Sequence, residues 1–586
     1  MSSCAVPLLH SVVLCTVMTK VFSVCSIYQQ VLALLQTRLM TRLHALMISC
    51  MQGHLQRIHK LTNPPGSVLV MQNFQAHFPR VTDKNSSNIQ GWLVSCLELG
   101  AWFGALFCGW LSDKISRKYA MMVGVIIFTL GTGFQVGAQN EGFLFAGRTI
   151  GGIGIGMFSM VIPLYQSEIA PPELRGSLVS LQQQSITIGT CISFWLDYGF
   201  HFIGGPDCRP NGVNVSDADW DPDVYGGQHC EGEKTVSWRV PLAIQIIPAW
   251  ILFFGMFFLP FSPRWLVMKD RDEEAKASLS KLRRLPEDDP LLVAEFLEIK
   301  STVMFDREVR SESVTNNGWL APWKELFSPN IFRRVMIGVW IMIFQQFTGI
   351  NAILYYSPQI FATFGFSSVT IDLLATGVTG CLQVLCTLPA VLFLDKFGRR
   401  SFMIVGALGM FICHIVVAGV EGSFENNWPA HRAGGWVAIV FIWLFAVNFA
   451  YSWGPVAWVL TQELFPSSFR SRGVSIVASV NWMFNFIIGL TTKDMLNSMK
   501  YGTYIFFGAF CLMGAGFMYW FVPETKDKTL EELDVYFGGT SDSLAAADRE
   551  RMQRIMHELG MDNYDDSNDL KEKADLTAEI ENVDHQ

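Results

Sequence analysis

Charge is what this chain has least of: only 16% of its 586 residues are Asp, Glu, Lys or Arg, where soluble domains sit nearer about a quarter. With 50% hydrophobic residues and a formal net charge of −8, there is too little polar surface for a water-soluble shell and no basic excess to attract nucleic acid. Acid is missing altogether from the first 62 residues, where Lys20, Arg38, Arg42, Arg57 and Lys60 stand alone before the first carboxylate, Asp83. Cysteine is sparse outside apolar sequence. Of 13 Cys, only Cys208 and Cys230 share a polar loop, which makes them a candidate disulfide and excludes a disulfide-framework fold. No metal-ligand spacing or nucleophile triad appears. Gly152-Ile-Gly154 is flanked by apolar residues with no strand before it, so close helix packing explains it better than a phosphate loop. An enzyme, a metal and a cofactor are not expected.

Long apolar runs are present instead. Stretches of about 20 residues recur near 91–112, 119–138, 143–163, 177–203, 238–260, 333–356, 371–394, 402–420, 434–461, 473–492 and 501–522, each long enough to cross a bilayer. Basic residues mark alternate loops: Lys114, Arg117 and Lys118; Arg175; Lys396, Arg399 and Arg400; Arg470 and Arg472. By the positive-inside rule these loops, and both termini, are cytoplasmic. Asn85-Ser-Ser87, Asn214-Val-Ser216 and the Cys208/Cys230 loop then fall on the opposite face, where Asn85 and Asn214 are glycosylation acceptors.

Residues 1–65 are atypical. Their apolar runs are short or interrupted by Arg38 and Arg42, so a first transmembrane helix is degenerate or replaced. A transit peptide suits a protein with so many spans poorly.

The most informative stretch is Phe344-Gln-Gln-Phe-Thr-Gly-Ile-Asn-Ala-Ile-Leu-Tyr-Tyr356. Amides at bilayer depth need partners, a cavity or a ligand. On an unbroken helix Asn351 points about 140° away from Gln346, at roughly 100° per residue. All three amides share one cavity only if the helix breaks near Gly349. Uncharged donors and acceptors suit a neutral polyhydroxylated solute.

Asp113-Lys-Ile-Ser-Arg117 returns as Asp395-Lys-Phe-Gly-Arg399, and Glu168 to Arg175 returns as Glu463 to Arg470. This internal repeat predicts two six-helix halves with a site between them. With these motifs, the Gln345-Gln346 to Tyr356 stretch, Pro260-Phe-Ser-Pro263-Arg264 and Pro523-Glu524-Thr525-Lys526, the chain from about Gly66 to Leu533 resembles the sugar porter family of the major facilitator superfamily, fungal hexose transporters in particular.

The resemblance implies an all-α membrane protein of 12 transmembrane helices. Its parts are an atypical segment 1–65, an N-terminal half 66–262, cytoplasmic linker helices 263–330, a C-terminal half 331–522 and an acidic cytoplasmic tail 523–586. It implies hexose transport across the plasma membrane by a monomer, as uniporter or proton symporter, with sugar-contacting roles on Gln183, Gln345, Gln346, Asn351, Gln383, Trp458 and Asn485. Tyr355 and Tyr356 lie toward the outer end as a gate, and Asp113, Arg117, Glu168, Arg175, Asp395, Arg399, Glu463 and Arg470 form cytoplasmic latches. Measured from the basic loops, Gln345 lies about 17 Å in and Gln183 about 12 Å, while Gln383, Trp458 and Asn485 lie about 18–19 Å in, near the midplane of a core about 30 Å thick.

Three departures from the family pattern stand out. Phe261 replaces a Glu, Ser116 replaces a Gly, and the first-helix Asp that partners the position of Arg148 in proton-coupled members has no counterpart. Arg148 and Glu98 are therefore the candidate coupling pair. Two alternatives stand beside transport: a sugar-sensing receptor of the same fold, and a transport-defective product lacking a normal first helix.

Overall fold

In the computed structural model the described residues are 71–82, 87–171, 175–201, 203, 234–313, 329–363, 369–424, 428–465, 470–526 and 542–559. The proposed first helix, Cys208, Cys230, Asn85 and Asn214 lie outside them.

Among the described residues there is no strand. Two short outer helices, α1 (Gln72–His77) and α2 (Pro79–Thr82), precede α3 (Ser87–Ile115), α4 (Arg117–Val136), α5 (Glu141–Ile169) and α6 (Arg175–His201). The span that follows is α7 (Val236–Ile244) continued by α8 (Ile246–Phe258). After a linker of α9 (Pro263–Met268), α10 (Asp272–Arg283) and α11 (Pro290–Ser313) come α12 (Pro329–Phe347), α13 (Ile350–Thr363), α14 (Val369–Phe397) and α15 (Arg399–Phe424). The last spans are α16 (Arg432–Tyr451) with α17 (Val456–Glu463), α18 (Arg470–Ser498) and α19 (Gly502–Phe521), and α20 (Asp542–Glu558) lies in the tail. Ten of these described spans are long and apolar enough to cross a membrane. α6 is the more polar eleventh, because it carries Gln182, Gln183 and Gln184.

The N-terminal core is built on close backbone approach. Along α5, a Cβ on Gly152 would sit 2.2 Å from Leu97 O, and one on Gly156 1.9 Å from Ala101 O. The glycine run is thus a helix-packing surface against α3. Local signals start the elements: Asn140 Oδ1 accepts from Phe143 N–H at 3.1 Å to open α5, and Ser262 Oγ accepts from Trp265 N–H to open α9, with Pro263 in its first turn. The halves meet along two seams, α3 against α18 and α6 against α14. Large apolar side chains such as Phe258 and Trp520 are exposed on the outer surface of the bundle, as a lipid-facing wall requires.

Ion pairs lace the linker: Arg283 to Glu295 at 2.6 Å, Lys300 to Asp272 at 2.6 Å and Arg307 to Asp270 at 2.6 Å. The hydrogen bond from Arg307 holds the Asp270 carboxyl below its ordinary range. Arg283 Nη1 also donates to Ile169 O at 3.0 Å, tying the linker to the end of α5. Where the related motif carries Glu, the Phe261 ring stacks on Trp265 with centroids 5.8 Å apart, and Lys118 Nζ lies 5.0 Å from its centroid. An aromatic and cation–π contact thus fills this position.

Candidate functional site

The span carrying the amides does break where their phasing requires. α12 ends at Phe347 and α13 starts at Ile350, with Gly349 between them at φ 87°, a conformation that L side chains rarely adopt. The interruption turns Asn351 toward Gln346, and Asn351 Nδ2 donates to Gln346 Oε1. Gln345 reaches sideways: its Nε2 donates to Trp453 O at 2.7 Å, and its Oε1 accepts from Asn481 Nδ2 at 2.7 Å. Trp453 lies in a second interruption, Ser452 to Pro455, between α16 and α17. Two broken spans of the C-terminal half therefore meet through Gln345, the arrangement that lets backbone and amides line a cavity at membrane depth.

A cavity of about 80 Å³ lies between the halves. Gln183 from α6, Gln345 and Gln346 from α12, Asn351 from α13, Gln383 from α14 and Trp458 from α17 all line it. Asn485 is not among the lining residues. It is fully buried, and its Nδ2 donates to the Tyr355 hydroxyl oxygen at 3.1 Å. Sequence reasoning passed over Ser159, Thr187, Phe449, Asn481 and Trp482, which also line the cavity. Asn481 carried a usable signal, since it stands one helical turn before Asn485. Trp482 Nε1 donates to Ser159 Oγ at 2.8 Å, so α18 and α5 touch across the halves at the cavity wall.

Tyr355 also lines the cavity; its OH donates to Glu98 Oε1 at 3.2 Å, and Tyr356 OH donates to Gly489 O at 2.8 Å. Both tyrosines tie α13 to other helices, and the first bond crosses from one half to the other. Arg148 is buried, and its Nη2 donates to Val94 O at 3.0 Å, one turn of α3 from Glu98.

At the ends of the spans that carry the basic loops, Arg117 pairs with Asp113 at 3.1 Å and with Glu168 at 2.9 Å. Asp113 Oδ2 also accepts from Ser471 Oγ at 2.9 Å, joining the first half to the start of α18. Arg399 pairs with Glu463 at 2.9 Å, and Glu524 accepts from the N–H groups of Arg399 and Arg400 at 2.8 and 3.1 Å. Arg470 Nη2 donates to Phe465 O at 3.5 Å. The side chains of Arg175 and Asp395 lie outside the described residues. Among the described residues no group of His, Cys, Asp and Glu is arranged to hold a metal.

Comparison with known proteins agrees with this architecture. The model of the family described as "Sugar (and other) transporter" matches residues 63–537. The chain is 32% identical over 482 residues to a probable quinate permease of Aspergillus niger, covering 80% of this chain and 84% of that protein. It is 33% identical over 486 residues to the MFS glucose transporter mfs1 of Aspergillus flavus, covering 80% and 86%. Among solved structures it superposes on the proton:xylose symporter XylE bound to 6-bromo-6-deoxy-D-glucose with a TM-score of 0.67 at 28% identity, covering 85% of this chain and 99% of that one. A partially occluded inward-open conformation of XylE from E. coli gives 0.63 at 27% identity, covering 83% and 99%. The chain belongs to the sugar transporter family of the major facilitator superfamily, and is a multi-pass membrane transporter rather than an enzyme.

Proposed function

We propose that this protein carries a neutral hexose, glucose or a close analogue, across the plasma membrane as a monomer with both termini cytoplasmic. The halves rock about the central cavity, exposing it to each side in turn. The observation that carries this reading is chemical. Among the described residues, every polar group lining the cavity is an amide, a hydroxyl or an indole, and none is charged. Quinate, the substrate named for several relatives, bears a carboxylate that calls for a cation or a dense set of donors. A hexose needs only matched donors and acceptors, with an aromatic face such as Trp458 beside its ring. Uptake of labelled glucose and labelled quinate by a host lacking its own carriers tests it. Saturable glucose uptake with no quinate uptake supports the reading, and the reverse sinks it. Growth of that host on hexose separates transport from sensing alone.

A second observation favours proton coupling. Glu98 is fully buried and accepts from the outer gate residue Tyr355 across the halves, so its protonation state is coupled to that contact. Uptake into liposomes with and without a proton gradient tests this. A carrier that ignores the gradient, with a Glu98→Gln variant equal to the parent, is a uniporter.

A further inference from the structure

We infer that His414, on α15 and outside the cavity, is a positioning residue that holds the break in the α12–α13 span and so sets the geometry of Gln346 and Asn351. The inference rests on the proposal that the cavity binds sugar. In an unbroken helix the carbonyl of Thr348 would accept from the N–H of Ala352, four residues on. Here it lies 2.9 Å from His414 Nε2. A carbonyl can only accept, so Nε2 carries the proton. The imidazole is buried and fixed on several sides: ring centroids of Phe445, Phe507 and Tyr504 lie 4.5, 6.1 and 6.2 Å away. Phe507 is also the ring that a Cβ on Gly349 would meet at 2.8 Å. One aromatic wall therefore faces both the histidine and the break.

A buried histidine on a nearby carbonyl is ordinarily just a satisfied core group. The identity of the carbonyl makes the difference here. Without that donor, the buried Thr348 C=O keeps only the weak, long contact from the Cys511 thiol at 4.0 Å, a poor substitute for an N–H. The nearest remedy is for the helix to rewind so that Ala352 N–H takes it. Rewinding turns Asn351 away from Gln346, by about 140° in the limit of a regular helix, and dismantles the amide pair that lines the cavity. His414 thus acts on the site through the backbone and without touching a ligand.

Two substitutions separate the bond from the shape. His414→Phe keeps a ring and loses the donor, whereas His414→Gln keeps a donor at similar reach and loses the ring. Glucose uptake is measured for each, normalised to surface copies, and the purified proteins are compared by hydrogen–deuterium exchange over residues 344–356. For His414→Phe we expect the half-saturating glucose concentration to rise about tenfold, with the maximal rate held within about twofold, and altered exchange at 347–352. His414→Gln should return both readouts most of the way to the parent. The inference is overturned if the Phe variant matches the parent in exchange, or if the Gln variant is as damaged as the Phe variant, since shape alone would then be at work. A parent that carries no glucose sinks the transport proposal only, because the exchange comparison still decides whether His414 holds the break. If the Phe variant does not reach the membrane, His414→Leu replaces it with the same criteria.

Discussion

Gln346 and Asn351 orient each other through one hydrogen bond, Asn351 Nδ2 to Gln346 Oε1. That leaves the Gln346 amide N–H groups and the Asn351 side-chain carbonyl to meet a hydroxyl entering the cavity, and removing one residue takes away both its own ligand contact and the group that orients the other. Gln346→Ala is therefore expected to raise the half-saturating glucose concentration at least about tenfold. Asn351→Ala should do the same, and the double variant should cost clearly less than the two added together. Additive losses, measured at matched surface expression, would mean that the pair does not act as a unit. Much of this cavity was legible at the residue level because amides in apolar sequence are conspicuous: Gln183, Gln345, Gln346, Asn351, Gln383 and Trp458 were named from the chain and line one space. Asn485 is expected to contact sugar from the family resemblance and its depth, yet it is not among the cavity-lining residues, since depth along a helix says nothing about azimuth. It serves Tyr355, while Asn481, a turn earlier, faces the cavity. Phe449 and Thr187 were illegible, because an apolar or hydroxyl side chain in a membrane helix looks the same whether it faces a cavity or a neighbour.

At the scale of elements, the two half-repeats place the same turn under different residues. Gly398 precedes α15 at φ 85°, and its counterpart Ser116 precedes α4 at φ 112° and ψ 158°. That region is essentially reserved for glycine and costs a side chain about 1–3 kcal/mol. Ser116 recovers part of this by capping, its Oγ accepting from Tyr119 N–H at 3.3 Å, but replacing a serine cap by glycine costs only a few tenths of a kcal/mol. Ser116→Gly should therefore stabilise the protein by about 1 kcal/mol, seen as a higher midpoint in thermal unfolding of the detergent-solubilised chain. An unchanged or lowered midpoint would show that the strain is absent. The opposite substitution is harmful at the central break. Gly349→Ala meets both a positive φ of 87° and the Phe507 ring at 2.8 Å, and should abolish uptake even where surface expression survives. Shrinking the ring with Phe507→Ala should not restore it, since the backbone strain remains. The first break could be read from the sequence because three amides could not otherwise face one way. The second, at Ser452 to Pro455, went unread although Gly454-Pro455 marks it, since Ser452 can satisfy its hydroxyl on the Asn448 carbonyl of its own helix and demands no change of direction.

For the whole molecule, alternating access requires the seams between the halves to part on one side while they close on the other. At the basic-loop end of the spans the Asp113–Ser471 bond joins the halves. On the α6–α14 seam Gln184 Nε2 donates to Val384 O at 3.0 Å, and the sulfurs of Cys191 and Cys381 lie 3.3 Å apart while both cysteines are free. Each is 16 residues from the end of its helix beside the ion-paired loops, at Arg175 and Phe397, which places both about 24 Å along it at 1.5 Å per residue. They therefore sit beyond the midplane, on the side of the seam away from those loops, which the proposed orientation makes the outer side. Oxidation by a membrane-permeant oxidant such as copper–phenanthroline would remove two protons and two electrons and bond the sulfurs, holding that seam shut. Uptake from outside should then fall to near zero and recover with dithiothreitol. Variants with Cys191→Ser or Cys381→Ser should be indifferent to the oxidant. If oxidised protein is cross-linked, as judged by the two halves staying together without reductant after proteolysis in the linker, yet still transports, then α6 and α14 do not separate at this level. The rocking would then have to open the cavity elsewhere, along α3 and α18. If cross-linking stops uptake, the α6–α14 seam is part of the outer route, and the halves move as bodies on either side of the cavity.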